Sequence, residues 1–347
     1  MLGAVAGSCM IAILIVIGLI NNHIVPIYPK PHFHYNAEPN NPLKFLSNWD
    51  GPDYIRISRF NYRSLFDASF YPLYPALIYF FTIIFRSPLT TALIISWSSL
   101  FGALYFFIKI LRHLGLVHKP YDALTAVSFL LLFPTGVFFL ATYTESLFAF
   151  LSLAAIYYAL KKHWAMSALL LIIASTAHIT ALLVIGLVCL ILIEEKVKIW
   201  QIGLNIAAGL GGIGIFAIYQ QYKYHDAFAF LKSQAKIHQW LRHGLVNLWY
   251  SLGAFNALSI ILIILAAIYF WNKRKSFSLY ALSFLLIPLI GGQYGGFNRY
   301  VIVAFPVEFM LYRFSRDHEQ VYPYLIAVSA ILWTVVALEY TGGYIGS

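Results

Sequence analysis

Apolar runs separated by short polar connectors follow one another along almost the whole chain. A run that crosses the roughly 30 Å of bilayer hydrocarbon needs about 20 residues, and the runs at 4–27, 89–108, 122–142, 144–160, 200–219, 247–270, 277–290, 300–312 and 321–340 qualify as full or short tilted spans. The stretch 71–85 opens on two prolines and carries tyrosines throughout, which predicts a juxtamembrane helix lying in the interface. The run 164–193 is long for one span and contains His178; it reads as two half-helices meeting near His178 and Thr180. Irregular backbone of that kind is tolerated in a membrane only where protein or a water-filled cavity covers it. The expected fold class is all-α: a polytopic membrane protein of about 9–11 transmembrane or re-entrant helices, forming a single integral membrane domain over 1–347.

The positions of the basic residues orient these spans. With 71–85 held in the interface, Lys109, Arg112, Lys119, Lys161, Lys162, Lys273, Arg274, Lys275, Arg313 and Arg316 all fall in connectors on one side, the cytoplasmic side by the positive-inside rule. The opposite side then receives a first extracytoplasmic loop, 28–88, containing the juxtamembrane helix, the tight turn Thr142–Ser146, a second outer loop at 220–246, and Gly291–Arg299. No Lys or Arg precedes the first run and no small-residue cleavage site follows it, so 4–27 is expected to be a retained span. A content of 61% hydrophobic and 10% charged residues, with a mean hydropathy of +0.76, excludes an ordinary soluble domain. The net charge of +10 is scattered among the spans, which favours anionic lipid over nucleic acid as its counterpart. Cys9 and Cys189 lie in apolar runs and leave the polar loops without thiols for a disulfide or zinc site.

The candidate chemistry is concentrated on the outer side. Asp50, between Trp49 and Gly51, can act as a general base toward a sugar hydroxyl or serve as a turn residue. Asp53 can join it in a metal pair, although two loop acids do not make a hard-cation site; N-capping a helix that begins near Tyr54 is the favoured reading. Arg56, Arg59 and Arg63 follow at helical spacing, one face that can hold a lipid phosphate or rest on headgroups. Thr142-x-x-Glu145 matches a capping box, a role compatible with Glu145 lining an active site. His178, flanked by Thr176 and Thr180, is more often an interhelical hydrogen-bonder than a catalyst, but near a helix break it can donate to a phosphate. Arg299 either binds phosphate through its planar fork or snorkels. His32 and His34 form a weak metal-like pair that is discounted. Glu308 is expected to pair with Arg313, and Gly203, Ala207 and Gly211 are spaced for close helix packing.

Several blocks resemble one family jointly, in order and spacing: Trp49-Asp50-Gly51 with Tyr54 and Ile57, Tyr71-Pro72-Leu73-Tyr74-Pro75, Phe133-Pro134 leading to Tyr143-Thr144-Glu145-Ser146-Leu147-Phe148, and Arg299-Tyr300 with Phe305-Pro306. They are similar to the PIG-V-type mannosyltransferases of the GT-C superfamily, and the short chain without large luminal insertions resembles the prokaryotic branch. The resemblance implies a GT-C-like fold and transfer of a sugar, typically mannose, from a polyprenyl- or dolichyl-phosphate donor to a glycan or glycolipid acceptor on the extracytoplasmic face of a prokaryotic cytoplasmic membrane, or of the ER in a eukaryote. It implies Asp50 and Glu145 as active-site carboxylates and Arg299 as a phosphate contact. Trp49, Asp53, Tyr54, Arg56, Tyr74, Tyr143, His178 and Tyr300 are the accompanying substrate-binding candidates. Two positions depart from the family pattern: Asp53 stands where an aromatic residue or His is common, and Ala177-His178-Ile179-Thr180 where Arg followed by Gly is common.

The expectation is therefore an inverting glycosyltransferase with Asp50 as base. No cofactor is expected: the lipid-phosphate sugar is a substrate, and metal dependence is left open, with a divalent metal not expected. A transporter or flippase of lipid-linked sugars is the alternative, although such proteins place functional charges near mid-membrane and often show internal repeats, none of which is visible here. A non-catalytic scaffold would leave the outer carboxylates and Arg299 without a purpose.

Overall fold

The computed structural model describes residues 2–21, 38–234, 254–287 and 297–343. These form helices and turns with no strand. In chain order the helices are α1 Leu2–Leu19, α2 Asp50–Phe60, α3 Leu73–Phe85, α4 Pro88–His113, α5 Pro120–Leu131, α6 Glu145–Leu160, α7 Trp164–Ser175, α8 Ala181–Glu194, α9 Ile199–Tyr224, α10 Ala254–Trp271, α11 Lys275–Ser283, α12 Phe297–Val301, α13 Pro306–Asp317 and α14 Tyr322–Gly342. Helices α4, α9 and α14 are long and apolar enough to cross a membrane; at 1.5 Å per residue they reach roughly 39, 39 and 32 Å. Together with the shorter apolar helices they make this an all-α polytopic integral membrane protein.

The helix boundaries revise several expected spans. The run 122–142 is not one helix, because α5 stops at Leu131 and a 3-10 turn occupies Gly136–Phe139. Pro134 has no N–H to continue the ladder, and at Gly136 a Cβ would run into the Leu131 carbonyl, so only glycine fits this turn. The run 300–312 is likewise split, with Pro306 opening α13 at the position where its missing N–H costs nothing. Helix α3 has 13 residues and reaches only about 20 Å, short of a crossing, while exposing Tyr79, Phe80, Ile83 and Ile84. The break within 164–193 falls at residues 176–180, between α7 and α8. Residues 22–37, with His32 and His34, residues 235–253 and residues 288–296 lie outside the described residues.

The chain divides into two compact units. Unit 1 comprises Met1–Arg59, Tyr74–Phe150 and Glu308–Ser347, and in it α1 packs against α4, α5 and α14. The α4 N-terminus is built from Ser87 and Pro88, with the Thr90 N–H donating to Ser87 Oγ at 3.1 Å. Glu38 completes it, accepting from Ser87 Oγ (2.5 Å), Asn41 Nδ2 (3.0 Å) and the Leu89 N–H (3.1 Å), with Arg59 at 3.7 Å. Partial burial pushes the Glu38 carboxyl up, but these bonds and the Arg59 charge outweigh it, so the group titrates below its usual 4.5. A depressed folded value means that Glu38 stabilises the fold above the unfolded carboxyl range and that this contribution is lost as pH falls through the folded value. Glu38→Gln is therefore expected to lower the melting temperature at pH 7, and the gap to wild type to close toward pH 4; a gap independent of pH in a melting series would contradict this.

One sequence expectation fails in unit 1. Arg313 pairs with Asp317 at 3.0 Å, not with Glu308, which is fully buried with both carboxyl oxygens lacking a partner. Arg316 instead reaches Asp122 at 3.1 Å, and Asp122 caps α5 by accepting from the His118 and Lys119 N–H groups.

Unit 2 comprises Phe60–Leu73 and Leu151–Val307. Here α7 and α8 pack on α9, and α11 packs on α8 and α10. The glycines that allow this are not those expected from spacing, because a Cβ at Gly203 or Gly211 meets nothing within 4 Å. The buried face of α9 runs through Asn205, Gly209, Gly212 and Phe216, where a Cβ at Gly209 would strike Ile185 and one at Gly212 would strike Ser175 and the Ile172 carbonyl. Gly212→Val should cost about 1–3 kcal/mol through overpacking, whereas Gly203→Ala should be neutral or slightly stabilising because alanine is the better helix former. Thermal melting in detergent separates the two; equal melting temperatures would show that the α7–α9 contact is not this close.

Candidate functional site

Asp50 owes its place to a strained turn. Trp49 adopts φ 56, the left-handed region that a bulky side chain rarely occupies. The turn is held from both sides: the Asn48 N–H donates to Tyr340 Oη at 3.3 Å, and Asn48 Nδ2 donates to the Tyr340 carbonyl at 2.7 Å and the Phe45 carbonyl at 3.1 Å. Asp50 is then the first residue of α2, and its N–H donates to Tyr143 Oη at 3.2 Å while that hydroxyl donates to the Asn48 carbonyl at 3.2 Å. Next to it, Gly51 lies so close to Thr142 and Ser47 that a Cβ would collide with both hydroxyls. The Trp-Asp-Gly block thus docks directly on the Thr142–Glu145 turn.

The rest of unit 1 extends this cluster. Tyr54 Oη lies 3.4 Å from Thr144 Oγ1, and the Tyr54 ring meets those of Tyr74 and Tyr143 edge-on, with centroids 5.2 and 6.5 Å away. Tyr74 Oη is fixed by Ser96 Oγ at 2.7 Å and by the Ala92 carbonyl at 2.9 Å; Ser96 Oγ also donates to the Tyr143 carbonyl at 3.2 Å. Glu145, the first residue of α6, is buried, and its carboxylate lies within electrostatic reach of the Tyr74 and Tyr340 hydroxyls; Asp50 likewise reaches Tyr340. Two carboxylates therefore share a sheath of tyrosine hydroxyls. Their positions at the N-termini of α2 and α6 suit anionic groups, which the helix dipole favours there.

Three expectations about these residues are corrected. Asp53 does not cap a helix beginning near Tyr54, since α2 already starts at Asp50; Asp53 lies in its first turn and pairs with Arg56 at 2.8 Å. Thr142 does not form a capping box with Glu145: α6 starts at Glu145 itself, and the Thr142 N–H and hydroxyl both donate to the Leu46 carbonyl. Arg56, Arg59 and Arg63 do not share one helix face, because α2 ends at Phe60 and the Arg63 guanidinium lies 4.5 Å from the Phe60 ring centroid.

Unit 2 carries the second cluster. His178 sits in the break between α7 and α8, its ring 5.3 Å from that of Tyr300. The Thr180 N–H donates to His178 Nδ1 at 3.2 Å, and Thr180 Oγ1 lies 2.7 Å from the same nitrogen. An acceptor Nδ1 assigns the proton of the neutral ring to Nε2, which makes that edge a donor. Arg299 is buried on the short helix α12, with Nη2 3.4 Å from Tyr300 Oη and the guanidinium 5.3 Å from the Tyr300 ring centroid. In this unit the described residues join His178, Arg299 and Tyr300.

Sequence reading missed Ser96 and Tyr340 and gave Asn48, within the polar stretch 48–54, no role of its own. Ser96 carried a usable signal as a polar residue in an apolar run, whereas Tyr340 lies almost three hundred residues from the turn it holds and nothing local marks it. Among the described residues no group of three or more His, Cys, Asp or Glu side chains gathers as a metal site would require.

Apolar helices that bury carboxylates and tyrosines in unit 1, and a histidine and an arginine in unit 2, define a membrane protein with functional polar sites, because ionisable groups among such helices are costly and mark function. The profile of the family described as mannosyltransferase (PIG-V) matches residues 9–252, and the chain belongs to that family. It is a membrane mannosyltransferase, a glycosyltransferase of the helical membrane type. The match takes in the blocks at 48–54, 71–75 and 142–148, while Arg299 and Tyr300 lie beyond it. No curated protein matches the chain significantly.

Proposed function

We propose that the protein transfers mannose from a polyprenyl- or dolichyl-phosphate donor to a glycan or glycolipid acceptor on the extracytoplasmic face, with inversion at the anomeric carbon. Asp50 removes the proton of the acceptor hydroxyl as that oxygen attacks the anomeric carbon; the bond from that carbon to the phosphate oxygen breaks, and the lipid phosphate leaves. The family resemblance assigns the phosphate to Arg299, whose planar fork of donors suits the charge that develops there; His178, through its Nε2–H, Arg56 and Tyr300 are the further candidates. Donors fixed in advance where charge develops are worth most in a site that excludes water. Glu145 binds the sugar or acceptor hydroxyls alongside Trp49, Tyr54, Tyr74 and Tyr143. Asp53, engaged with Arg56, positions that arginine. No cofactor takes part.

The observation that carries this reading is the docking of Trp49-Asp50-Gly51 onto Thr142–Glu145, which brings two family motif blocks and two carboxylates into one tyrosine-lined cluster. The test is donor choice: lipid-reconstituted protein should transfer labelled mannose from polyprenyl-phosphate mannose but not from a nucleotide-linked mannose. Equal transfer from the nucleotide sugar would overturn the donor assignment.

A further inference from the structure

At one end of unit 2 the connectors α6–α7, α8–α9 and α10–α11 come together through ion pairs. Lys162 Nζ lies 3.5 Å from Glu195 Oε2, while Arg274 reaches Glu194 Oε2 at 3.0 Å through Nε and Glu195 Oε1 at 2.8 Å through Nη2. Glu194 also accepts from the Ser276 N–H at 2.8 Å and Ser276 Oγ at 2.7 Å, which caps α11. Both carboxylates of this end are thereby engaged. The bases outnumber them: Lys161, Lys196, Lys198, Lys273 and Lys275 remain around the cluster, all exposed. A groove of about 450 Å³ lies here, lined by residues from Glu194 and Glu195 and from Trp271 to Lys275.

The surroundings of the groove identify its occupant. Immediately before it on α8 and α10, Ile193, Ile268 and Trp271 are 56%, 67% and 49% exposed, as expected of side chains facing acyl chains in a polytopic protein. Lys273 lies over the Tyr269 ring at 3.3 Å from its centroid, so the change from aliphatic to aromatic to cationic surface occurs within a few residues. Aromatic rings at the head of an apolar helix mark the headgroup level, and lysines just beyond it attract anionic lipid. A soluble anion would find the charge but have no use for the apolar wall. The polyprenyl-phosphate chemistry proposed for the transferase does not use these residues.

We propose that this groove binds the phosphate headgroup of an anionic membrane lipid, its acyl chains lying against Ile193, Ile268 and Trp271 and its phosphate between Lys273 and Lys275. Arg274 acts as a positioning residue: locked by Glu194 and Glu195, it fixes the connector on which the two lysines stand.

Native mass spectrometry of the purified full chain tests this, using dimyristoyl phosphatidylglycerol and dimyristoyl phosphatidylcholine as probes. Wild type should retain the anionic lipid, and Lys273→Gln with Lys275→Gln should reduce that retention roughly tenfold, toward the level of the zwitterionic lipid. Lys223→Gln, on the opposite end of α9, should leave it unchanged, and the melting temperature of each variant reports whether it is folded. Glycerol 3-phosphate should not compete at millimolar concentration. Equal retention by wild type and the double variant, or displacement of the lipid by glycerol 3-phosphate, would overturn the proposal.

Discussion

Asp50→Asn is expected to leave the protein folded and to lower the rate of mannosyl transfer by about 10²- to 10⁴-fold, the range for removal of a general base. Asparagine matches aspartate in shape, and the backbone contacts that fix the position, from the Asp50 N–H to Tyr143 and from Asn48 to Tyr340, do not involve the carboxylate. The loss should therefore appear in turnover rather than in melting temperature or acceptor KM. Turnover within about twofold of wild type, measured with saturating donor and acceptor, would remove Asp50 from the base role.

Replacing Arg299 should be nearly as costly. Arg299→Gln is expected to reduce turnover by about 10²- to 10³-fold, the loss seen when one preorganised donor to a developing anion is removed. Arg299→Lys should recover little of it, because lysine offers a point charge in place of a planar fork and cannot reproduce the guanidinium placed at 5.3 Å from the Tyr300 ring. A purely structural arginine would show a lowered melting temperature and an unchanged rate per folded molecule, and that pattern would contradict the assignment.

The membrane class and all-helical character were legible because hydrocarbon imposes length and polarity on every span, and these are local properties. Helix breaks were legible only where the polar residue stood out, as at His178; at Pro134 and Pro306 the surrounding apolar runs hid the interruption, although proline alone argued for it. Local spacing misled where the decisive contact was distant. Thr142 matched a capping box but bonds Leu46, nearly a hundred residues away, and Asp53 looked like a cap only because a strained Trp49 lets α2 begin four residues earlier. The stripe of Gly203, Ala207 and Gly211 is real as a pattern, but it faces away from α7 and α8. The two carboxylates were singled out by type and position, and the structure sets both among the same tyrosines. The tyrosine sheath around them was found only in part, because Tyr340 joins it from the far end of the chain.

The central claim, that Asp50 acts as a base in a direct displacement, is tested most directly by the anomeric configuration of the product. Nuclear magnetic resonance of the mannosylated acceptor formed by wild-type protein from polyprenyl-phosphate mannose of known configuration should show the opposite configuration at the transferred sugar. Retention would exclude a single back-side displacement at the anomeric carbon and would contradict the account.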